Sequence, residues 1–309
     1  MEDAESRHFK PMHLETLKES PRRFMPLDRL SNSVYAHVYP DPSFPDSNRG
    51  YIICDKYVVV VDATYLLENV RNDLEQMRKL TDRNVRYLIN THYHSDHTYG
   101  NCLFDCEIIA HTKCIELMKQ EREKQLSSVF EEVKDPEERK HIEGVRYPTV
   151  LFEESFRLDS DPAIEVIHLG GHTPDLSIVH IPEEKILFAS DNLFGSRDPS
   201  TPVEPEMNTR SDLDQWILAL EYVLTLDPKV IVPGHLGLCN KQAVPKLIDY
   251  LRLFVENVRS LKRQGYSKEQ VKHTREILDL STLFEGSGID PTIMEGLTEQ
   301  NIDRQYDRL

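Results

Sequence analysis

Short apolar runs separated by turn residues dominate the first two thirds of the chain. Residues 33–39 (SVYAHVY) alternate between apolar and polar positions, and residues 51–63 (YIICDKYVVVVDA) contain two apolar runs joined by a tight turn. These patterns predict a strand followed by a β-hairpin. Residues 66–80 then carry apolar side chains at helical spacing, which predicts an amphipathic helix. The stretches 85–91 (VRYLINT) and 106–111 (CEIIAH) predict two further short strands.

A second series of strands follows a charged segment. Apolar runs separated by turn residues predict an antiparallel sheet from the stretches VLFEESFRLD, AIEVIHL, DLSIVHI and KILFAS. Ser211 and Asp214 stand in capping-box register and predict the start of a helix in SDLDQWILALEYVL. The run KVIVPGH predicts one more strand, which ends at His235.

The last 70 residues read as helical. An apolar stripe at helical spacing predicts a long amphipathic helix with the positions Val244, Leu247, Ile248, Leu251, Phe254, Val255, Val258 and Leu261. Core packing is the favoured interpretation of this stripe, and a homodimer surface is the alternative. Ser267 and Gln270 predict a capping box for the next helix.

The alternation of strands and helices predicts an α+β fold with C-terminal helices. Two successive rounds, at residues 33–118 and 149–240, favour two similar half-folds packed sheet to sheet with helices outside. We divide the chain into an N-terminal arm (1–32), a domain (33–240) and a C-terminal helical extension (241–309). The charged segment 112–148 is a helical insertion in that domain, interpreted as a solvated helical pair rather than a lid over the substrate.

Composition and net charge limit the classes of partner that we expect this protein to bind. The 309 residues carry a formal net charge of −16 and are 39% hydrophobic. This charge repels phosphate backbones and anionic membranes, so we expect a small-molecule substrate and no nucleic acid or membrane partner. The first thirty residues lack the apolar segment of a signal peptide, and we expect a cytoplasmic protein. The five cysteines are an odd number in a large chain, and we expect free thiols.

Residues 91–101 (THYHSDHTYGN) follow a predicted strand and contain three histidines and an aspartate within six positions. His92 and His94 are two positions apart, so in an extended segment both side chains project to one side and can bind the same metal. Asp96 and His97 follow where the chain turns, and can face a neighbouring position. Imidazole and carboxylate ligands suit zinc, iron or manganese. Zinc is the ion that we expect, with iron or manganese as the alternatives.

Three more strand ends offer metal ligands. His172 lies in LGGHTPD, Asp191 in FASDNLF and His235 in VPGHLG, and each follows an apolar strand next to a glycine, serine or proline. This context places a polar side chain at the rim of a sheet without burying it in the core. Together with the histidine cluster they make seven candidate ligands.

Over residues 33–240 the sequence resembles the metallo-β-lactamase-fold superfamily. Its five signatures occur in order, namely Asp62 in VVVVDAT, the motif H-x-H-x-D-H formed by residues 92–97, and then His172, Asp191 and His235. The resemblance implies a four-layer αββα sandwich. It also implies one metal held by His92, His94 and His172, a second held by Asp96, His97 and His235, and Asp191 between them. Asp62 would hold the histidine loop by hydrogen bonds.

The aspartate at position 191 narrows what the resemblance implies. True β-lactamases of this superfamily usually have cysteine or serine there, whereas glyoxalase II, lactonases, phosphodiesterases and many esterases have aspartate. The implied activity is therefore that of a binuclear zinc hydrolase. A metal-bridging hydroxide, oriented by Asp96 or Asp191, would attack an ester, thioester, lactone, lactam or phosphodiester.

Two other functions remain open at this point. One is a mononuclear iron-dependent sulfur dioxygenase, a branch that resembles this chain through the same motifs. The other is a metal-stabilised binding protein without catalytic activity. A flavodiiron-type oxidoreductase is disfavoured, because that branch carries glutamate at the position of His94. The nuclease branches are disfavoured by the net charge of −16.

Overall fold

Two stacked β-sheets form the centre of the protein, which a computed structural model describes over residues 26–39 and 46–309. The first sheet has the strand order β1-β2-β3-β4-β5-β6-β7, and its strands are β1 (Asp28–Arg29), β2 (Val34–His37), β3 (Arg49–Ile53), β4 (Val58–Val61), β5 (Val85–Ile89), β6 (Glu107–His111) and β7 (Val150–Phe152). The second has the order β12-β11-β10-β9-β8, and its strands are β8 (Ser155–Leu158), β9 (Ile164–His168), β10 (Ser177–Ile181), β11 (Ile186–Phe194) and β12 (Val230–His235).

Strand directions follow from the connections. The predicted hairpin β3–β4 is antiparallel, whereas β4, β5, β6 and β7 run parallel to one another. In the second sheet β8 to β11 are antiparallel, as predicted, but β11 and β12 are parallel. A helix lies between these two strands in the chain, and such a crossover is what parallel neighbours require. Both parallel pairings place the ends of successive strands at one edge of the sandwich.

The predicted strand at residues 150–159 is two strands in the structure. β7 completes the first sheet, and β8 begins the second. Glu153 and Glu154 lie between them and are exposed, so the chain changes sheets where two charged side chains stay in solvent. Because apolar residues stand on both sides of the two glutamates, the sequence pattern predicted one strand instead of two.

The inner faces of the two sheets share one apolar core. Val59 and Ile89 from the first sheet belong to the same buried cluster as Val179 and Phe188 from the second. Gly50 on β3 marks the closest approach, since a Cβ atom there would lie 2.3 Å from Cε1 of Phe188. Sheet-to-sheet packing therefore requires glycine at this position.

Helices cover both outer faces and complete the predicted αββα sandwich. In the described part of the chain they are α1 (Leu67–Leu80), α2 (Ser95–Thr98), α3 (Thr112–Gln120), α4 (Arg122–Glu132), α5 (Pro136–Glu143), α6 (Leu213–Thr225), α7 (Ala243–Arg263), α8 (Lys268–Lys272), α9 (Arg275–Leu278) and α10 (Pro291–Gln305). All eight predicted stripe residues of α7 are buried in the core beside the second sheet, which confirms the core interpretation. The capping box of Ser267 and Gln270 begins α8, as predicted.

The insertion 112–148 contains three helices rather than the expected pair. Leu117, Met118, Val129 and Ile142 from α3, α4 and α5 are buried in one cluster. Each of these helices therefore has an apolar face as well as a charged one. Most of the expected N-terminal arm (1–32) lies outside the described residues, and its described end pairs β1 with β2.

All five cysteines are free thiols, as expected. Among the helices in residues 26–39 and 46–309, none combines the length and the apolar character that crossing a membrane requires.

Candidate metal centre

The histidine cluster follows β5 at the edge where the parallel strands end. His92 and His94 lie in the loop after this strand, and Asp96 and His97 lie in the short helix α2. His92 and His97 are fully buried, although each carries a polar ring. Burying such rings costs free energy unless their nitrogen atoms find partners.

The other three candidates approach this loop from the second sheet. His172 lies in the loop after β9, and His235 is the last residue of β12. Asp191 lies within β11 rather than after it, at a point where the register with β12 is irregular. The structure thus brings all seven predicted side chains together from two sheets.

One group of four donor atoms gathers around His92. Its Nε2 atom lies 3.0 Å from Nδ1 of His94 and 3.6 Å from Oδ2 of Asp191. Nε2 of His172 lies 3.3 Å from Nδ1 of His94 and 3.4 Å from Oδ2 of Asp191. All four atoms lie within 4.8 Å of one another.

A second group gathers around His97. Its Nε2 atom lies 3.4 Å from Oδ2 of Asp96, and Nε2 of His235 lies 3.2 Å from the same oxygen. Asp191 joins the two groups, because its Oδ1 atom lies 3.1 Å from Nε2 of His97 while its Oδ2 atom faces the first group. The carboxylate of Asp191 is therefore shared.

These spacings fit metal coordination as well as hydrogen bonding. A tetrahedral zinc with bonds of about 2.0 Å separates its ligand atoms by roughly 3.3 Å, close to the distances in both groups. Nε2 of His97 and Oδ1 of Asp191 are buried and lie 3.1 Å apart, but they are not aligned for a hydrogen bond, and neither atom makes one with another described residue. A cation between the donor atoms satisfies both. The residues present thus fit metal ions.

Asp62 holds the histidine loop, as the resemblance implied. Its carboxylate accepts hydrogen bonds from the backbone N–H and the hydroxyl of Thr91, each at 2.8 Å, and contacts Nδ1 of His97 at 2.9 Å. Burial raises the pKa of Asp62, and these contacts oppose that rise. An ionised Asp62 keeps the proton of His97 on Nδ1, which leaves Nε2 free to bind a metal.

A buried ionic network behind His235 escaped the sequence analysis. The guanidinium of Arg49 donates to the carboxylates of Asp46 (2.8 Å) and Asp73 (2.9 Å) and to the carbonyl oxygen of Ser47 (2.8 Å). All three charged groups are fully or almost fully buried. Nδ1 of His235 lies 3.3 Å from the carbonyl oxygen of Asp46, so the network positions a candidate ligand.

His172 is positioned by side chains that the sequence did not single out for this role. Its backbone N–H donates to Oδ1 of Asn192 at 2.9 Å, and its carbonyl oxygen accepts from the hydroxyl of Ser211 and from Nδ2 of Asn208, both at 2.8 Å. The predicted cap of α6 at Ser211 is wrong, because Asp212 caps this helix. Ser211 instead supports the His172 loop.

The pKa values of the site histidines shift in two directions: those of His92 and His94 fall, and that of His235 rises. Burial and the neighbouring histidines hold the pKa of His92 and His94 well below the ordinary value. Burial also acts to lower the pKa of His235, but Asp191 and Asp96 outweigh it and raise this pKa to about 10. His92 and His94 are therefore neutral donors, whereas a metal must displace a proton from His235.

Of the five described residues other than glycine that have a positive φ, three lie at the site. Asp62, Ser190 and Leu236 have positive φ values of 61°, 51° and 66°, a region that residues other than glycine seldom adopt. Each of them is a site residue or the neighbour of one. Gly234 adds a close approach, because a Cβ atom there would lie 1.8 Å from Oδ1 of Asp191. Such strain persists only where the surrounding structure enforces it.

A cavity of about 840 Å³ opens onto five of the candidate ligands, namely His94, Asp96, His172, Asp191 and His235. Part of its lining comes from α4, including Gln125 and Val129, so this helix of the charged insertion reaches the site. Residues 289–308 of the C-terminal extension supply another part. The volume is that of a site for a small organic molecule.

Comparison with known proteins agrees with this architecture. The family model of the Metallo-beta-lactamase superfamily matches residues 46–235. A Caenorhabditis elegans protein named "Beta-lactamase-like protein 2 homolog" is 24% identical over 253 residues, which cover 80% of this chain and 75% of that protein.

Solved structures of metallo-beta-lactamases share the fold. The enzyme from Pontibacter korlensis has a TM-score of 0.57 and 18% identity, covering 73% of this chain and 98% of its own. The DIM-1 metallo-beta-lactamase has a TM-score of 0.57 and 19% identity, covering 73% and 96%. The match to more than half of the chain, together with two stacked sheets and a His/Asp cluster at their edge, shows that this chain belongs to the metallo-beta-lactamase superfamily.

Proposed function

We propose that this protein is a binuclear metal-dependent hydrolase that acts on an ester, thioester, lactone, lactam or phosphodiester bond of a small molecule. The observation that carries the proposal is the pair of donor groups that share Asp191. One tetrahedral ion needs four ligands, and seven side chains exceed that number. Two zinc ions are the favoured occupants, with iron or manganese as alternatives.

In this proposal His92, His94 and His172 hold one ion, and Asp96, His97 and His235 hold the other. Bound divalent ions supply two kinds of chemistry: acidification of a water molecule, and polarisation of the scissile carbonyl or phosphoryl oxygen. The carboxylates of Asp96 and Asp191 line the cavity and accept hydrogen bonds, so either can orient the attacking water.

Several features of the chain favour hydrolysis of a small substrate. The cavity reaches the candidate ligands directly, and its volume of about 840 Å³ suits a small organic molecule. The net charge of −16 opposes nucleic acids. The sulfur dioxygenase alternative uses a single iron held by fewer ligands, and the second donor group speaks against it.

A panel of activated substrates tests the proposal. Purified protein with known metal content is assayed on p-nitrophenyl esters, p-nitrophenyl phosphodiesters and a chromogenic β-lactam. We expect turnover of at least one class, loss of that turnover in His92→Ala, and no loss in His141→Ala, which changes an exposed histidine on α5. Absence of all turnover, or equal turnover in His92→Ala, would contradict a hydrolase. Oxygen uptake on a persulfide substrate would instead support the dioxygenase.

A further inference from the structure

One part of the cavity wall is apolar and comes mainly from the C-terminal extension. We call it the apolar wall and define it by the cavity-lining residues Phe194, Val203, Leu236, Ile289, Ile293, Met294 and Leu297. Four of them lie between positions 289 and 297, at the start of α10 and just before it. Apolar surface that faces a cavity gains free energy when a ligand removes it from water.

The apolar wall begins at the metal ligands themselves. Phe194 follows Asp191 by three positions, and its ring stacks on that of His235 with the centroids 5.3 Å apart. Leu236 is the next residue after His235 in the chain. An apolar group of a substrate that contacts this end of the apolar wall would therefore lie close to the bond that the site would cleave.

Leu236 occupies its position at a cost in backbone strain. Its φ of 66° lies in the left-handed region, which leucine seldom adopts. Nδ2 of Asn48 donates to the carbonyl oxygens of Leu236 (2.8 Å) and Pro233 (2.9 Å) and holds this segment. Glycine or asparagine would relieve the strain, yet the chain has an isobutyl group that lines the cavity. Strain of this kind at a site is a sign of function.

Several charged residues of the cavity form ion pairs with one another. Lys272 contacts Glu269 and Asp303, at 3.0 and 2.7 Å. Lys268 lies 2.8 Å from Asp307, and Arg304 lies 2.9 Å from Glu206. Apart from the candidate ligands, the lining has seven acidic side chains, one of which is Glu204 with a pKa raised to about 7, and five basic ones. It therefore has no excess of positive charge that would attract an anion. A phosphodiester or another anionic substrate is disfavoured on this ground.

From these observations we propose that the substrate is an uncharged ester, thioester or lactone with an apolar acyl chain, which the apolar wall binds. The inference rests on the proposed hydrolase function and narrows its substrate class. Leu236, which follows the candidate ligand His235 in the chain, and Ile293 on α10 are the specificity-determining residues.

A series of p-nitrophenyl esters from acetate to decanoate tests this proposal, at concentrations below micelle formation. We expect kcat/KM to rise by roughly threefold for each added methylene until the wall is filled, because each methylene leaves water. The ratio of kcat/KM between decanoate and acetate should fall by at least roughly tenfold in Leu236→Asn and in Ile293→Asn. Asparagine tolerates positive φ, so Leu236→Asn removes the apolar group without adding strain.

Leu218→Asn is the matched control. Leu218 is 58% exposed on α6 and does not line the cavity, so the ratio should equal that of the unchanged protein. Two independent variants keep the test decisive if one of them fails to fold. Equal ratios in all four proteins would contradict the role of the apolar wall.

A binding measurement separates this inference from the proposed function. Isothermal titration of the metal-loaded protein with the uncharged amides butanamide, hexanamide, octanamide and decanamide gives Kd values without turnover. We expect Kd to decrease with chain length, and this trend to weaken in Leu236→Asn and Ile293→Asn. A Kd independent of chain length overturns the inference, whatever the enzymatic result. Absence of turnover on every ester and on every other class of the substrate panel, with a chain-length trend in Kd, overturns the proposed function and leaves the apolar wall as a binding site.

Discussion

The metal end of the cavity and its apolar wall differ in how they are built. At the metal end, polar atoms from two sheets converge within 4.8 Å in each donor group, and hydrogen bonds from buried groups fix them. The apolar wall comes from the end of β11 and the segment after it, from Leu236 directly after β12, and from the C-terminal extension. Short motifs at strand ends therefore encode the chemistry, whereas a separate helical segment shapes what can reach it.

A cluster of neutral partners around Glu204 fastens the wall to the sandwich. Its Oε1 atom lies 2.5 Å from the hydroxyl of Tyr250 and 3.0 Å from Nδ2 of Asn301, and its Oε2 atom lies 2.7 Å from Oγ1 of Thr298. Thr298 and Asn301 belong to α10, and Tyr250 to α7. The metal end has an ionic network at Arg49, whereas Glu204 at the wall has only uncharged hydrogen-bond partners.

Asp191→Asn should have the largest effect of the four variants. It should impair metal binding and hydrolysis at the metal end and leave the fold intact. Replacing the shared carboxylate by an amide removes the charge that faces both donor groups with little change in shape, so metal retention and hydrolysis should fall by several orders of magnitude. Elemental analysis and kcat/KM measure both losses, with circular dichroism as the test of folding. Asp214→Asn, at an exposed position of α6, is the control and should change neither. Retention of both metals with near-normal turnover would show that Asp191 is not shared.

Arg49→Met should destabilise the support of the metal end. It leaves Asp46 and Asp73 buried without their cation, so the free energy of unfolding should fall by about 3–5 kcal/mol. Arg252→Met removes a surface pair with Glu221 and should cost about 1 kcal/mol or less. Urea unfolding of both variants gives the comparison. Equal losses would mean that the buried network contributes no more than a surface ion pair.

Glu204→Gln tests whether Glu204 is protonated in the folded protein, through the pH dependence of the free energy of unfolding. Burial raises the pKa of Glu204 from 4.5 to about 7 in the folded protein. Between these values the unfolded chain loses the proton and the folded chain keeps it, so stability falls as pH rises. Ionisation of Glu204 should thus cost up to about 3 kcal/mol by pH 8 relative to pH 4. A protonated Glu204 can donate to Thr298, whose single proton is then available to the carbonyl oxygen of Met294.

Glutamine reproduces the neutral acid, so the variant should lose this pH dependence and be the more stable protein at pH 8. Unfolding in urea at several pH values measures the difference. The exposed Glu299 on α10 provides the control, and Glu299→Gln should leave the pH dependence as it is. If the stability of Glu204→Gln relative to the unchanged protein were the same at every pH, Glu204 would be ionised in the fold.

Asp62→Asn should have the smallest effect of the four, because Asp62 contacts a candidate ligand rather than the ion. One of the two carboxylate oxygens becomes an N–H donor that faces the donors of Thr91 or His97. Metal affinity should fall by roughly 10- to 100-fold, and the fold should survive because asparagine accepts the φ of 61°. Competition with a chelator measures the affinity, and exposed Asp82→Asn is the control. An unchanged affinity would limit Asp62 to a structural role.

The sequence predicted the metal end more completely than the wall. The seven candidate ligands follow local apolar runs, so their placement at one edge of a sandwich could be inferred from strand ends. The network of Arg49 could not be inferred from the sequence. The helical pattern of α1 predicted Leu74 as a buried position, but Leu74 is only half-buried and Asp73 is buried instead. A buried charge is recognisable only with its partner, and this partner lies 24 positions away.

The apolar wall was beyond sequence reasoning for a related reason. Ile289, Ile293 and Leu297 resemble ordinary core positions, and only the fold shows that they line the cavity. The interpretation of residues 112–148 as a solvated pair failed similarly, because Gln125 and Val129 belong to a charged helix whose other face lines the site. Helical periodicity identifies an apolar face but does not say whether a core or a ligand covers it.

Metal content per chain is the measurement that tests the central claim most directly. Protein purified without added metal is analysed by elemental mass spectrometry together with Asp96→Asn, which alters only the second donor group, and His94→Ala, which alters only the first. The account predicts close to two transition-metal ions per chain, falling to about one in each variant. A reproducible content of one iron per chain that is lost in His94→Ala and retained in Asp96→Asn would contradict it.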